Sequence, residues 1–375
     1  MAVDPYDVMP YPDVVVRTTS PSHVGAVALL LGAEPAAPKR IVELGCGTGA
    51  NTIAVARDWP GAEVVGVDRS GRQIEMAWEA ARGVGNVTFR QADILAEELG
   101  DLGAGGGVDY VICHGVYSWV PPAVQERILE LCGRLLSERG VGVISFNVLP
   151  GWHVKLPIRE MLLFHTAGFE TAAEKVEQAR KYLELLREGI AEPESTISTQ
   201  LRLLAGMVLE SPDAYILHEY LCEFNEPILF ETFAGRIGKA GLQYVGDADF
   251  GSNVPAAISE ATKGTLMEIA GSRERYEQHL DFLMNRTFRR ALVMRAEAEV
   301  TGRFSSRALR RMRFRAKKVE VEGGGDALMT ALREVWPGWG SVEEIVRRSG
   351  GDLPGVAGKM LMGIAEGWVE VRLVE

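Results

Sequence analysis

Val42-Glu43-Leu44-Gly45-Cys46-Gly47-Thr48-Gly49 reads as the end of a buried strand that runs straight into a glycine-rich turn. Glycine tolerates a left-handed backbone and carries no side chain, so three glycines at alternate positions let a bound molecule come close to the main chain. The helix expected from Asn51 begins at once, and its unpaired N–H groups suit an anionic group. A G-x-G turn alone fits many nucleotide-like ligands. Here the spacing is G-x-G-x-G rather than G-x-G-x-x-G, which displaces the third glycine that packs helix on strand in dinucleotide folds.

The neighbouring acids narrow the ligand. Glu43 stands two positions before Gly45. A carboxylate there repels a pyrophosphate and can anchor the amino end of an amino-acid-like cofactor, through the loop or a water. Asp68 ends the next strand, AEVVGVD (62–68), where a carboxylate can accept both ribose hydroxyls. Asp93 and Ile94 end NVTFRQADI (86–94). There Asp93 can accept an adenine amino group while Ile94 packs on the ring.

The surrounding pattern is α/β. Strand-like runs at 40–47, 62–68, 86–94, 108–113 and 141–148 alternate with helical patterns. Ser70 caps the helix over 70–82, and Ile128, Leu131, Leu135 and Leu136 share one face of the helix over 123–136. Such alternation builds a doubly wound sheet with helices on both faces. From 157 to 223 the chain is rich in Glu, Leu, Lys and Arg and almost lacks strand signals, which reads as a helical insertion. A helix over 226–240, a strand over 242–248, a helix over 276–285 and a strand over 287–294 then complete the sheet. Gly323-Gly324-Gly325 marks a linker, and the order helix, helix, helix, strand beyond it suggests a small winged-helix-like module.

Longer stretches carry a resemblance. They are Pro10-Tyr11, VELGCGTGANTIAVA, VGVDRSGRQIE, HGVYSWVPP (114–122), NVLPGWH (147–153), HEYLCEFNEPILF (218–230), GLQYVGDADF (241–250) and YEQHLDFLMNRTFRRAL (276–292). With these the chain resembles class I methyltransferases dependent on S-adenosyl-L-methionine (AdoMet). More narrowly, it resembles the family with a methyltransferase regulatory domain, which includes bacterial protein-lysine methyltransferases. The resemblance implies a Rossmann-like seven-stranded methyltransferase sheet, AdoMet as cofactor and S-adenosyl-L-homocysteine as product. It implies that Gly45, Gly47, Asp68, Asp93 and Ile94 hold AdoMet, with Tyr11 covering the methionine end, and Glu43, Cys46, Arg69, Gln73 and His114 complete the expected cofactor-binding set. The expected division is an AdoMet-binding core over 1–156 and a helical insertion over 157–225, acting as acceptor cap or dimerisation element. Completion of the sheet follows over 226–297, then the basic strand and C-terminal module over 298–375.

Methyl transfer from a sulfonium is an in-line displacement that requires alignment and an unprotonated acceptor, and no metal is expected. Acceptors in doubly wound folds bind at the carboxyl ends of the strands. That makes His114, Tyr117, Trp119 and Trp152 the catalytic candidates. His114 is read as a proton acceptor or as a structural histidine. Tyr117, Trp119 and Trp152 are read as an aromatic wall that attracts a cation, or as packing under a lid. Asn147 is a further acceptor-side candidate. His218, Glu219 and Glu223 are read as one helix face that could receive a lysine ammonium, or as a salt-bridged surface.

Composition sets the bounds. The 375 residues exceed one ordinary core, so two or three domains are expected. No apolar run approaches the roughly 20 residues of a membrane span. The N-terminus carries Asp4, Asp7 and Asp13 without the basic start of a signal peptide. Cys46, Cys113, Cys132 and Cys222 are scattered, which points to reduced thiols and a cytoplasmic protein, without a disulfide framework or zinc site. A net charge of −11 argues against nucleic acid as partner. Locally, Arg303, Arg307, Arg310, Arg311, Arg313, Arg315, Lys317 and Lys318 form a basic run whose 311–317 part alternates like a half-buried strand. It is either a solvated strand face or a landing site for an anionic partner. The expected function is methyl transfer to a nitrogen of a protein or peptide side chain such as lysine. The alternatives are a small-molecule N- or O-methyltransferase and a non-catalytic AdoMet-binding interaction protein. A homodimer is a further expectation.

Overall fold

The computed structural model describes residues 8–11, 14–189, 195–302, 308–317 and 327–374. Asp4, Asp7, Asp13, Arg303, Arg307, Lys318 and the three glycines 323–325 lie outside them.

The strands are β1 (Arg40–Leu44), β2 (Glu63–Asp68), β3 (Val87–Gln91), β4 (Val108–Cys113), β5 (Leu136–Asn147), β6 (Leu242–Asp247) and β7 (Phe288–Arg295). They form one seven-stranded sheet in the order β3-β2-β1-β4-β5-β7-β6. β1 to β5 run parallel, and β7 lies antiparallel to both β5 and β6. The chain winds outward from β1 to β3, then returns to place β4 beside β1. At this reversal a crevice opens beyond the carboxyl ends of the strands.

Alternate strand residues feed two cores, as the two-residue period of a strand requires. Ile41, Val64, Ile112, Val143 and Leu292 pack under α1 (Pro21–Leu30), α2 (Ala50–Asp58) and α3 (Gly71–Ala80). Val42, Val67, Val111, Ile144 and Val293 pack on the opposite face against α4 (Pro122–Leu135) and residues 230–237.

Beyond β5, α5 (Leu156–Thr166), α6 (Ala172–Glu188) and α7 (Thr196–Leu209) close around their own cluster of Ile158, Leu162, Ala179, Leu183, Ala205 and Val208. Thr171 and Glu174 form a reciprocal capping box that fixes the start of α6. The segment returns to the sheet through a π-helical turn, Ile216–Tyr220, whose Ile216 and Tyr220 join the same cluster. The helix expected from residue 226 starts at α8 (Phe230–Lys239) instead. Pro227 disfavours helical backbone at Glu226. Ile228 lies extended, donating to the Asn147 carbonyl while its own carbonyl accepts from Leu149. After β6 come α9 (Glu260–Ala270) and α10 (Arg273–Met284), which leads into β7.

The C-terminal part runs β8 (Met312–Ala316), α11 (Ala327–Val335), α12 (Val342–Ser349), α13 (Leu353–Ala365) and β9 (Val369–Leu373). β8 and β9 pair antiparallel, and their apolar residues pack on Ala26, Leu29 and Leu30 of α1. A winged helix is not confirmed. The partner of β9 comes from before the three helices, and the described residues after α13 hold one strand and no hairpin. Along β8, Met312, Phe314 and Ala316 face inward. The basic side is met by this chain's own acids: Arg310–Glu343 at 3.5 Å, Arg311–Glu34 at 2.6 Å and Arg315–Glu370 at 2.5 Å. These pairs favour the reading of a solvated strand face. Among the described residues no helix is long and apolar enough to cross a membrane.

Candidate functional site

The loop after β1 is built for close approach. Gly45, Gly47 and Gly49 take φ values of +74°, +54° and +80°, the left-handed region that favours glycine. The N–H groups of Gly45 and Cys46 donate to the Val67 carbonyl at 2.8 and 3.0 Å, which ties the loop to the end of β2. The Cys46 side chain is buried in the core, so its part in the loop is played by main chain. Asp68 braces the same loop, accepting from Gly47 N–H and Ser70 N–H at 2.9 Å each. Ser70 caps α3 by accepting from Gln73 N–H, and the buried Gln73 side chain sits beside Gly47. Arg69 is exposed next to them. Asp93 accepts from Leu95 N–H at 2.9 Å in an exposed turn, and Ile94 is half-buried against the core.

A Cβ on Gly45 would collide with Val116 Cγ2. Gly45→Ala is therefore expected to cost about 1–2 kcal/mol in backbone strain and about 1–3 kcal/mol in overpacking. Calorimetric titration should show weaker AdoMet binding and thermal unfolding a lower Tm. Unchanged affinity would separate the loop from the cofactor.

Glu43 differs from its expected role. Its carboxylate is buried and turned into α2, accepting from Asn51 Nδ2 at 2.8 Å and Thr52 Oγ1 at 2.5 Å. Both oxygens are engaged there, because Glu43 alternates with the residues beside it and so takes the face that α2 covers. Burial raises its pKa to about 7, against the two hydrogen bonds that lower it. Asn51 also accepts from Val16 N–H at 3.0 Å, so this group joins β1, α2 and the N-terminal segment.

The acceptor side lies beyond β4 and β5. His114 follows β4, with its ring edge-on to Phe288 at 5.9 Å and a buried Nδ1 that has no protein partner. Burial lowers its pKa to about 4, helped by Arg290 and opposed by Asp249. At neutral pH it is an uncharged imidazole, far too weak a base for an ammonium of pKa about 10.4.

Tyr117 is a correction. It is fully buried, edge-on to Phe146 and Phe233, with its hydroxyl accepting from Arg236. The 3₁₀ turn Tyr117–Trp119 sends Tyr117 into the core and leaves Trp119 partly exposed. The wall is Trp119 and Trp152, whose rings meet edge-on at 5.8 Å.

Lys155 enters from two residues beyond the quoted NVLPGWH stretch. Its Nζ lies 4.1 Å from the Trp152 ring centroid, 3.7 Å from Glu219 Oε2 and 3.5 Å from the Tyr215 hydroxyl. Glu219 is mostly buried, and burial raises its pKa against the pull of Lys155 and Arg159. Burial lowers that of Lys155, opposed by Glu219. His218, one residue earlier, donates through Nε2 to the Met9 carbonyl at 2.7 Å, and Tyr11 packs on its ring at 5.8 Å. The N-terminal segment is thus strapped across this edge. Glu223 is a second correction. The helical turn ends at Tyr220, so Glu223 shares no face with His218 and Glu219, and it is exposed.

Asn147 is buried at the end of β5, its main-chain N–H held by Ser118 Oγ at 2.8 Å. Its Nδ2, Trp152 Nε1 and both amide atoms of Asn225 are buried without protein partners. Such orphans call for a polar ligand or water. Sequence reading missed Lys155, Tyr215 and Asn225 as site residues. Asn225 lay inside a quoted stretch, whereas nothing local marked Tyr215.

The comparisons with known proteins agree with this geometry. Residues 41–140 match the family described as "Methyltransferase domain", and residues 212–295 match "Predicted methyltransferase regulatory domain". The uncharacterised protein RP028 of Rickettsia prowazekii is 34% identical over 237 residues, 62% of this chain and 94% of its own length. This chain belongs to the regulatory-domain family of methyltransferases. RP789 of the same organism is 34% identical over 305 residues, 79% of this chain, and the chain spans 54% of RP789's length. The structure of PKMT2 from Rickettsia typhi in complex with AdoHcy matches with a TM-score of 0.83 at 25% identity, covering 98% of this chain and 78% of PKMT2. The methyltransferase is AdoMet-dependent. The loop fits that cofactor on its own terms: three left-handed glycines keep side chains out of the cradle, and an unpartnered His114 nitrogen is buried beyond β4.

Proposed function

We propose that the methyl acceptor is a primary amine, the side chain of a lysine in a protein or peptide. Gly45, Gly47 and the Cys46 main chain would hold AdoMet together with Asp68, Gln73, Asp93 and Ile94, with Tyr11 closing over them. AdoMet supplies an electrophilic methyl on a sulfonium. The observation that carries the amine is the seat at the strand ends. Trp152 presents an aromatic face, Glu219 a buried carboxylate and Tyr215 a hydroxyl, and an ammonium of this chain already rests among them.

Aromatic faces attract ammonium groups, and a carboxylate draws a cation while repelling an acid. Desolvation lowers the pKa of an amine, which the reaction requires. Glu219, itself pushed toward protonation by burial, is placed to take the proton that the amine sheds. His114 and Asn147 would position the acceptor's polar atoms. The helices of 156–209, which lead into the Glu219 turn, act as a cap over this seat.

Transfer of labelled methyl from AdoMet separates the readings. A lysine-bearing peptide is expected to be labelled, with Glu219→Gln slowing transfer at least tenfold. Transfer to small carboxylic acids or phenols, with every peptide unmarked, would replace this reading by a small-molecule one.

A further inference from the structure

We propose that Lys155 is itself a methyl acceptor, so that the methyltransferase modifies its own chain in the seat where an acceptor lysine binds. This rests on the amine reading above and adds a modification site to it.

The placement carries the idea. Lys155 follows β5, at the carboxyl edge where the cofactor loop lies. A line of contacts joins the two: Val116 bears on Gly45, Trp119 closes the 3₁₀ turn by donating to the Val116 carbonyl, Trp119 meets Trp152, and Trp152 carries the Lys155 ammonium. Among the described residues Lys155 is the one lysine over an aromatic ring. Lys181 and Lys263 instead pair with Glu177 and Glu260 of their own helices. The Lys155 side chain keeps 25% of its surface, so it is neither free in water nor sealed in the core.

Its separation from Glu219 is too long for a hydrogen bond and close enough for an ion pair, and Glu219 Oε2 has no hydrogen-bond partner. The polar contacts of Nζ, to Tyr215 at 3.5 Å and Glu219 at 3.7 Å, are both long. Burial shifts the amine and the carboxylate toward each other in pKa, which makes transfer of a proton between them less costly. The charged and titratable groups around the pair include Tyr215, Tyr11, Tyr220, Cys222 and Arg159.

The step balances. A proton leaves Nζ for Glu219, and the nitrogen lone pair forms a bond to the methyl carbon. The carbon–sulfur bond breaks with its electrons on sulfur, and S-adenosyl-L-homocysteine departs. The product is a methylammonium that already carries its charge, and Glu219 passes the captured proton to solvent.

The test maps every lysine of the intact chain by mass spectrometry after incubation with AdoMet, beside a lysine peptide supplied in trans and a Lys155→Arg chain. The expected result is methyl mass on Lys155 with Lys175, Lys181 and Lys263 unmodified. Its rate per chain should be independent of protein concentration, as a reaction within one molecule requires. Label on the peptide with none on Lys155 overturns the self-methylation and leaves the amine reading standing. Label on neither overturns both. A cofactor-free readout runs alongside, with a small amine-acylating reagent competing for all lysines across neutral to alkaline pH. Lys155 should react at lower pH than the exposed Lys181. Reaction in step with Lys181 would show an ordinary ammonium and sink the proposal.

Discussion

Arg289→Met is expected to destabilise the methyltransferase by about 3–5 kcal/mol, the cost of leaving buried charge without its partner. Arg289 is 2% exposed and lies within β7. Its guanidinium donates to Asp281 at 2.7 Å, Glu277 at 2.9 Å, Asp247 at 2.5 Å and the Tyr244 hydroxyl at 2.8 Å, with its face over the Phe230 ring at 4.3 Å. Burial works against its charge, but Asp247, Tyr244, Asp281 and Glu277 together hold it protonated. Among the described residues, Arg286 is the cation left in ion-pair range of the three acids when Arg289 is removed, at 3.3 Å from Asp281 and 3.9–4.0 Å from Glu277 and Asp247. Urea unfolding of the single variant should show the full loss. Adding Asp247→Asn and Asp281→Asn to it should restore part of that loss, because groups in one network are not additive. A single-variant cost below about 1 kcal/mol would mean that the cluster behaves like a surface pair. The effect reaches the site through register. Arg289 pairs with Phe146 and Phe288 with Asn147, so loosening β7 shifts the residue on which the His114 ring rests.

Why Arg289 escaped the sequence reading is instructive. TFRRALVM shows two charges inside a strand, and the ordinary place for charge is water. The acids that neutralise it stand on a helix turn and a neighbouring strand, and their approach is a property of the assembled fold. The sheet itself was legible, because buried parallel strands are apolar throughout and end in glycine or aspartate. The cofactor loop was legible for the same local reason: only glycine suits three left-handed positions in a row of five.

Orientation was less legible. HGVYSW contains Tyr117 and Trp119, two residues apart, and one residue of turn geometry decides which faces the crevice. Glu43 precedes the loop as expected, yet the alternation of β1 points it into α2. The seat is assembled from Trp152 and Lys155 after β5, Glu219 from a helical turn and Tyr11 from the N-terminal segment. Met9 and His218 are 209 positions apart, a separation that no local pattern spans. The C-terminal part was read correctly in element order, while its winged-helix architecture is not confirmed, since order does not say which strand β9 chooses.

Two buried groups at the site should give opposite pH dependences. His114 has its pKa lowered by burial from 6.5 to about 4. Between those values the unfolded chain binds a proton that the folded chain refuses, so this contribution to stability is full above pH 6.5 and falls as the pH drops toward 4. Glu43 has its pKa raised by burial from 4.5 to about 7. There the folded chain binds the extra proton, so its contribution is full below pH 4.5 and is lost as the pH rises toward 7. Each amounts to about 3 kcal/mol, at about 1.4 kcal/mol per pKa unit. Glu43→Gln keeps an acceptor and a donor for Asn51 and Thr52 while removing the charge. Relative to the parent it should gain stability as the pH rises through this window. His114→Gln should gain as the pH falls through it. Denaturant midpoints for the three chains, taken at several pH values from acid to neutral, give the two differences directly, and groups common to all three cancel. Slopes of the same sign would refute the assignment. Slopes near zero would mean that water reaches both groups. In the parent the two slopes oppose each other, so the site loses little stability across the window even though both buried groups change their charge balance within it.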